Sequence, residues 1–226
     1  MRRFRFVTRL SLIAIDRACE ASVLNNVEIT AQTLANWSRR GQKEGLADTH
    51  RVVVRALSRH FPRSAGYKLR LFHQGSYANR TYIQGRSDID IVVELLEPVE
   101  LTSHLDPSRF RTFRRTVQDA LYAGQGDPGI NSVDARRRKA VRVQTAYLNA
   151  DVLPARRAYT LSGEQCIVFW PTDSDKPIVS YPNQHRSALA EKGRTAPGLR
   201  PAIRMIKHAR DSILDRYGQG SIIAPS

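Results

Sequence analysis

Apolar residues that recur every three or four positions predict several helices along the chain. The first begins at Thr30, a candidate N-cap, and Gly45 separates it from a second. A third begins near Ser108, and a last long helix is closed by Gly218 and Gly220. The apolar positions that define these helices are Val53, Leu57 and Phe61, then Phe110, Phe113, Val117 and Leu121, and finally Leu199, Ile203, Ile206 and Ile213.

Apolar residues at alternate positions predict strands between these helices. The predicted strands cover residues 69–75, 88–96, 141–143 and 147–153, the last ending at Pro154. A short helix or turn from Ser76 to Ile83 joins the first two strands. The predicted loops are 124–129, 171–175 and 181–183.

Composition and charge narrow the class of protein. The 226 residues include 36 Lys and Arg against 21 Asp and Glu, a formal charge of +15. Apolar residues make up 41% and charged residues 25%, as in a typical globular protein. The positive charge favours polyanionic partners such as nucleotides or nucleic acid, although the densest basic run, Arg136 to Lys139, is typical of an exposed loop. No apolar run approaches the ~20 residues of a membrane-spanning helix, so a cytoplasmic protein without a membrane partner is predicted.

The first candidate site is the turn Gln74-Gly75-Ser76, which leads from a predicted strand into a predicted helix. Glycine lets a phosphate approach the backbone, and the Ser76 hydroxyl and the free N–H groups of a helix start can bind phosphate oxygens. Gln74 either orients this turn or is simply exposed. Gly-Ser before a helix is also common in turns that bind nothing, so the turn alone is weak evidence.

Two aspartates, Asp88 and Asp90, lie on the next predicted strand. Because alternate residues of a strand share a face, both carboxylates point the same way while Ile89 and Ile91 enter the core. Like charges so close repel unless a cation lies between them, and Mg²⁺ prefers carboxylates together with substrate phosphates. The same pattern on an edge strand can face water, but the Gly-Ser turn upstream favours a site for a metal and a nucleotide.

A third carboxylate, Asp151, lies on the predicted strand 147–153. Three carboxylates can hold two metal ions, one activating an attacking hydroxyl and the other neutralising a triphosphate. Alone, Asp151 is more typical of a surface aspartate; beside Asp88 and Asp90 it is a candidate metal ligand and general base. The predicted cofactors are two Mg²⁺ or Mn²⁺ ions.

These residues resemble the motif of the polymerase-β-type nucleotidyltransferases: a Gly-Ser turn, an Asp-x-Asp strand and a third Asp on a neighbouring strand. Within that superfamily the chain is similar to the branch that includes the bacterial cGAS/DncV-like nucleotidyltransferases (CD-NTases), the oligoadenylate synthetases and the archaeal CCA-adding enzymes. The similarity covers about residues 25–226. It is carried by Gln74 to Ala78, Ser87 to Ile91 and Ala150 to Ala155, with further matches at Ile29-Thr30, Tyr181 to His185 and Arg204 to Lys207.

The resemblance implies an α+β fold with two lobes and an active site in the cleft between them. A poorly specified segment, 1–26, would precede a nucleotidyltransferase domain, 27–180, built as a mixed sheet backed by helices. Residues 181–226 would begin a helical C-terminal lobe that is truncated relative to the family. The exposed apolar face of Ile203, Ile206 and Ile213 would then invite association.

The resemblance also implies roles for two further groups and an activity. Ser76 would contact the triphosphate, and Lys207, otherwise a solvated lysine of an amphipathic helix, would reach the donor phosphates. The activity would be transfer of NMP from an NTP, ATP or GTP, to a nucleotide hydroxyl, making a cyclic or linear second messenger in antiphage defence. Two alternatives stay open: transfer onto RNA, and a non-catalytic fragment that binds nucleic acid through its arginines.

Overall fold

The computed structural model describes residues 29–41, 44–62, 66–83, 88–101 and 105–217. Several predictions lie outside the described residues: the N-terminal segment 1–26, the helix closure at Gly218 and Gly220, and the stretch Gly85-Arg86-Ser87 before Asp88. The proposed domain boundaries at residues 27 and 181 therefore stay predictions.

Six helices lie within the described ranges. They are α1 (Ala31–Ser38), α2 (Leu46–His60), α3 (Gly75–Ala78), α4 (Ser108–Ala123), α5 (Pro182–Thr195) and α6 (Leu199–Tyr217). The Thr30 hydroxyl accepts a hydrogen bond from the Thr33 N–H and caps α1, as its position predicted. Gly45 precedes α2 with a φ of 75°, a left-handed conformation that glycine adopts at little cost.

The stretch from Ser76 to Ile83, predicted as a short helix or turn, contains both: α3 ends at Ala78, and Arg80 just beyond it has a left-handed φ of 58°, which no helix can continue through. One loop prediction is wrong. Residues 181–183 are not a loop, because α5 begins at Pro182. Proline suits the first position of a helix, where its missing N–H would have had no partner.

The strands form one mixed sheet, which confirms the α+β class. They are β1 (Leu69–Gln74), β2 (Ile89–Glu100), β3 (Ile130–Asp134), β4 (Val141–Thr145), β5 (Asn149–Tyr159), β6 (Gln165–Phe169) and β7 (Ile178–Ser180). The sheet runs in the order β1-β2-β5-β4-β3, with β6 also paired to β5 and β7 to β6. Only the central β2–β5 pair is parallel; the other pairs are antiparallel.

Strand β5 does not end at Pro154, contrary to the sequence prediction. Its pairing with β4 stops at Val152, and its pairing with β6 starts at Arg156. Pro154 therefore lies in the gap between two partners on that edge, a place in a sheet where proline is tolerated, while on the other edge it stays in register with Val93 of β2. Strands β3, β6 and β7 were not predicted at all.

The core lies on one face of the sheet, against α2 and α4. Ile89, Ile91 and Val152 point into this layer and are fully buried, as the alternation along the strands predicted. Burial of each such side chain contributes about 1.5–3 kcal/mol, an upper estimate. The alternate positions, Asp90 and Asp151 among them, are thereby directed to the opposite face, which carries the candidate site.

The final helix keeps part of its apolar surface exposed. Ile206 is 69% exposed and Ile213 49% exposed, whereas Ile203 is half-buried. Association through this surface stays a prediction. None of the helices within the described ranges is both long and apolar enough to cross a membrane.

One buried carboxylate ties β1, β2 and β5 together. Glu94 on β2 is fully buried, and it pairs with Arg70 Nε of β1 at 2.6 Å and with Arg157 Nε of β5 at 3.1 Å. Both guanidiniums are partly exposed, so water shares the solvation of the cluster. A buried charge is tolerated only when it is paired in this way.

We expect Glu94→Ala to lower the free energy of unfolding by about 3 kcal/mol, because it leaves two guanidiniums without their buried counter-ion. Asp175→Ala is the matched control, since it removes a carboxylate that pairs with Arg111 on the surface. Such exposed pairs contribute about 1 kcal/mol or less. Urea denaturation followed by circular dichroism measures both, and equal effects would contradict the buried role of Glu94.

Candidate active site

Two of the predicted carboxylates face each other across the centre of the sheet. Asp90 on β2 and Asp151 on β5 are direct register partners in the parallel pair. Asp88 lies just before β2 and is linked to Asp151 through a shared arginine, described below. The fold thus places all three aspartates that the sequence singled out near the N-terminal ends of the two central strands, with Asp90 beside Asp151 and Asp88 linked to Asp151 through that arginine.

The Gly75-Ser76 turn packs directly against Asp90. Gly75 has a φ of 65°, and a Cβ at this position would lie 2.0 Å from Asp90 Oδ2, so no other residue fits without moving the carboxylate. The Ser76 backbone N–H donates a hydrogen bond to the Asp90 carboxylate. Gln74 is the register partner of Asp90 on β1, and its Oε1 is buried without a hydrogen-bond partner.

The surroundings of Asp90 disfavour its ionised form. Burial and, secondly, the negative charge of Asp151 raise its pKa from the ordinary 3.8 to about 6. The Lys207 ammonium and the Ser76 N–H act in the opposite direction. A carboxylate whose ionised form is this unfavourable gains most from a cation, which is the condition expected at a metal or phosphate-transfer site.

Lys207 of α6 approaches this turn from the other side. Its Nζ donates to the Thr81 carbonyl at 3.0 Å, and the Thr81 N–H in turn donates to the Ser76 carbonyl at 2.9 Å. Burial lowers the pKa of the Lys207 ammonium, with the nearby Arg210 acting in the same direction. The predicted lysine therefore lies beside the predicted turn and close enough to Asp90 to stabilise its charge.

Helix α6 holds the turn with two further side chains that sequence reasoning missed. Arg200 Nε donates to the Asn79 carbonyl at 3.1 Å, and Arg204 donates to the Arg80 carbonyl at 3.0 Å. Together with Lys207 they bind three consecutive carbonyls, 79 to 81. Their spacing along the sequence places them on one helix face, but only the tertiary structure shows what that face binds.

Two more arginines reach the carboxylates, and these were also missed. Arg142 on β4 forms an ion pair with Asp88 and places its Nε 3.1 Å from Asp151 Oδ1. Arg137 in the β3–β4 connection places its Nη1 3.7 Å from the other oxygen of Asp151. Arg142 was visible as a polar position between Val141 and Val143, but its partner follows only from the register of β4 on β5.

The donor set suits a hard divalent cation. Carboxylate oxygens are the ligands that Mg²⁺ and Mn²⁺ prefer, and the Arg142 guanidinium already shows that a cation is accommodated between Asp88 and Asp151. Within the described ranges, however, no three His, Cys, Asp or Glu side chains are gathered closely enough to hold an ion as they stand. The three aspartates are chemically suitable ligands for the metal. Arg142 pairs with Asp88 and Asp151 and would compete with a metal ion for these two carboxylates.

A cleft opens beside the turn. Its cavity of about 100 Å³ lies between β1, α3 and the start of α5. The lining residues are Phe72, His73, Gln74, Gly75, Ala78, Asn79, Pro182, Asn183, His185 and Arg186. The site is thus bordered by polar groups on the side of the helical C-terminal segment.

No protein-family model matches the chain. Among proteins of assigned activity it is similar to the cyclic UMP-AMP synthase of Rhodothermus marinus (strain SG0.5JP17-172), with 29% identity covering 85% of this chain and 71% of the relative. It is also 28% identical to the cyclic dipurine nucleotide synthase of Elizabethkingia meningoseptica, covering 84% of this chain and 70% of that protein.

Solved structures give the same result. The Rhodothermus marinus CdnE c-UMP-AMP synthase with Apcpp and Upnpp has a TM-score of 0.68 and 29% identity, covering 87% of this chain and 71% of its own. The Elizabethkingia meningoseptica CdnE cyclic dinucleotide synthase with GTP and Apcpp has a TM-score of 0.64 and 27% identity, covering 84% and 69%. In sequence and in fold this chain is therefore a homologue of the bacterial cGAS/DncV-like nucleotidyltransferases, the CD-NTases of the polymerase-β-type superfamily.

Proposed function

We propose that this chain transfers a nucleoside monophosphate from a nucleoside triphosphate to a hydroxyl of a second nucleotide. The hydroxyl oxygen forms a bond to the α-phosphorus, the bond from that phosphorus to the β-phosphate bridging oxygen breaks, and pyrophosphate leaves. The product is a cyclic or linear oligonucleotide that acts as a second messenger in antiphage defence. The relatives named above make cyclic nucleotides, which supports this class of product.

The single observation that carries the proposal is the meeting of Asp90 and Asp151 in register beside the Gly75-Ser76 turn. A purely structural pair of like charges would weaken the fold, as the raised pKa of Asp90 indicates. Such a cost is typical of a site that is completed by a cation and an anionic substrate.

Each residue of the site then has a defined task. Asp88, Asp90 and Asp151 would hold two Mg²⁺ or Mn²⁺ ions, which supply positive charge to the triphosphate and to the attacking hydroxyl when they are bound. Asp151 accepts the proton of that hydroxyl at its carboxylate. Ser76 and Lys207 bind the donor phosphates, and Gln74 orients the turn.

The substrates are nucleoside triphosphates, and we propose ATP or GTP. The homologous structures named above contain Apcpp, Upnpp and GTP, which supports triphosphates as the substrate class. Because free nucleoside triphosphates are found in the cytoplasm, this substrate class also supports a cytoplasmic location. Transfer onto RNA remains the alternative outcome of the first experiment below, because a formal charge of +15 also attracts polynucleotides.

Asp90→Asn should abolish product formation. The change keeps the shape of the side chain but removes a ligand for the metal ions, and we expect the rate to fall at least about 100-fold. Purified protein is incubated with each labelled NTP and Mg²⁺ or Mn²⁺, with and without RNA, and the products are separated by size and phosphatase resistance. Asp175→Asn, at a largely exposed aspartate, is the matched control.

A small phosphatase-resistant product that Asp90→Asn loses supports a cyclic nucleotide. Label on added RNA transfers the assignment to an RNA nucleotidyltransferase. Full activity of Asp90→Asn contradicts the proposed site.

The same substitution should stabilise the metal-free protein near neutral pH. The pKa of Asp90 is raised in the folded state to about 6 from 3.8. The free energy of unfolding therefore falls as pH rises from 3.8 to about 6, and the full cost of the ionised carboxylate is present above pH 6. Asparagine removes this opposition. We expect Asp90→Asn to raise the melting temperature above that of wild type at pH 7.5, with the difference shrinking towards pH 4. Differential scanning calorimetry in EDTA checks this, and a difference independent of pH would contradict it.

Gly75→Ala should lower activity much more than it lowers stability. The new Cβ would meet the Asp90 carboxylate at 2.0 Å and displace it, in addition to straining a left-handed backbone by about 1–2 kcal/mol. Gly163→Ala is a matched control, because Gly163 has a φ of 79° with nothing within 4 Å of a Cβ. Both variants should lose similar stability, while only Gly75→Ala loses at least about tenfold in kcat. Equal kcat values would show that the position of Asp90 is unimportant.

A further inference from the structure

Two guanidiniums approach the carboxylates from the β3–β4 hairpin, on the side of Asp151. Arg142 contacts both Asp88 and Asp151, and its side chain is only 21% exposed. Arg137 contacts the second oxygen of Asp151 and is 44% exposed. The roles proposed above use neither arginine, although each lies within reach of the residue proposed to accept the hydroxyl proton.

The β3–β4 connection, which carries Arg137, is held in place by a buried arginine of α4. Arg114 of α4 is only 5% exposed, and its guanidinium donates to the carbonyls of Arg137 at 3.0 Å, Arg138 at 3.2 Å and Trp170 at 3.4 Å. The Thr172 N–H donates to the Arg138 carbonyl as well, at 2.9 Å. Burying a guanidinium to bind backbone carbonyls is costly, and it gives this connection a fixed path rather than that of a solvated loop.

The arginines of the basic run also differ in what they face. Arg136 binds Asp134 beside it, and Arg138 pairs with Asp173 at 2.5 Å. Asp134 lies one strand beyond Arg142, as its register partner on β3, and Asp173 lies in the loop after β6; neither is one of the three site aspartates. Arg137 is turned towards Asp151 instead, so the run predicted as an exposed loop contributes one guanidinium to the site.

The hydrogen-bond donors and cationic groups around the three aspartates are divided between two sides. Ser76 and Lys207 lie on the side of Asp90, where the donor triphosphate is proposed to bind. Arg137 and Arg142 lie on the side of Asp151, where the acceptor hydroxyl must be placed for its proton to be removed. A nucleotide bound with its hydroxyl at Asp151 would carry its own phosphates past this second pair.

A guanidinium group is suited to binding the phosphates of such a nucleotide. Its planar fork of N–H donors can bind the oxygens of a phosphate as it can those of a carboxylate. Two such groups on neighbouring segments can each take an oxygen of one phosphate chain. We propose that Arg137 and Arg142 bind the phosphates of the acceptor nucleotide, a free nucleoside triphosphate, and so position its hydroxyl at Asp151. This inference rests on the proposed function and deepens it.

A kinetic test separates the acceptor from the donor. A 2′,3′-dideoxynucleoside triphosphate serves as a donor that cannot accept, and the acceptor is offered as a nucleoside or as its α,β-methylene 5′-triphosphate, which can accept but cannot donate. We expect Arg137→Gln and Arg142→Gln each to raise KM for the triphosphate acceptor about 10- to 100-fold, the value of one or two charge-assisted hydrogen bonds. KM for the donor and for the nucleoside acceptor should stay within about twofold, as should all values for the control Arg136→Gln.

Equilibrium binding gives a readout that does not depend on turnover. Isothermal titration calorimetry with an α,β-methylene nucleoside triphosphate and Mg²⁺ should find two sites in the wild-type chain and one in each variant. Arg142→Lys should recover only part of the lost affinity, because lysine keeps the charge but not the fork. Circular dichroism confirms that each variant is folded.

The outcomes are distinguishable. Two binding sites that depend on the arginines, without nucleotidyl transfer by wild type, reject the proposed function and with it the acceptor role, and leave the arginines only as phosphate-binding groups. Transfer by wild type with KM values and site number unchanged in both variants rejects the inference alone. Dependence on the arginines only when an oligoribonucleotide is the acceptor assigns them to an RNA phosphate and overturns the assignment to a free nucleotide.

Discussion

The repulsion between Asp90 and Asp151 is the constraint around which this site is built. The two carboxylates are register partners in the parallel β2–β5 pair, and their mutual charge together with burial raises the pKa of Asp90 to about 6. Around them lie the Ser76 N–H, Lys207 and Arg142, three donors from three different elements. The fold accepts this local cost because the hydrophobic layer on the other face of the same strands holds them in place.

Helix α6 links the C-terminal segment to the Gly75-Ser76 turn. Its Arg200, Arg204 and Lys207 bind the carbonyls of residues 79 to 81, where Arg80 adopts a left-handed conformation. Removing these contacts would free a strained turn next to Gly75. The position of the turn against Asp90 therefore depends on a helix more than a hundred residues later in the chain. This dependence gives the C-terminal segment a structural part in the site, besides the proposed contact between Lys207 and donor phosphates.

Local sequence predicted most of the elements that carry the site. The alternation around Asp90, the Gly75-Ser76 turn and the helical spacing of α2, α4 and α6 are all found in the structure. One error falls where tertiary pairing overrides a local signal, because Pro154 lies between two partner strands on one edge of β5. The other is a local signal that was misinterpreted, because Pro182 opens a helix instead of marking a loop. Strands β3 and β7 are short and only partly buried, and β6 is a run of five residues of which four are buried, so the pairing of all three depends on neighbours that a local window does not contain.

The sequence by itself determined the chemistry on offer: three carboxylates on strands and a Gly-Ser turn, whose types and spacing indicate a site for a metal and a nucleotide, while nucleotidyl transfer was implied by the family resemblance. Only the tertiary structure decided which groups meet. The register of β4 on β5 places Arg142 against Asp151, and the fixed path of the preceding connection turns Arg137 towards the same carboxylate. Register and loop path depend on pairing and burial between segments distant in sequence, so no local pattern of residues encodes them.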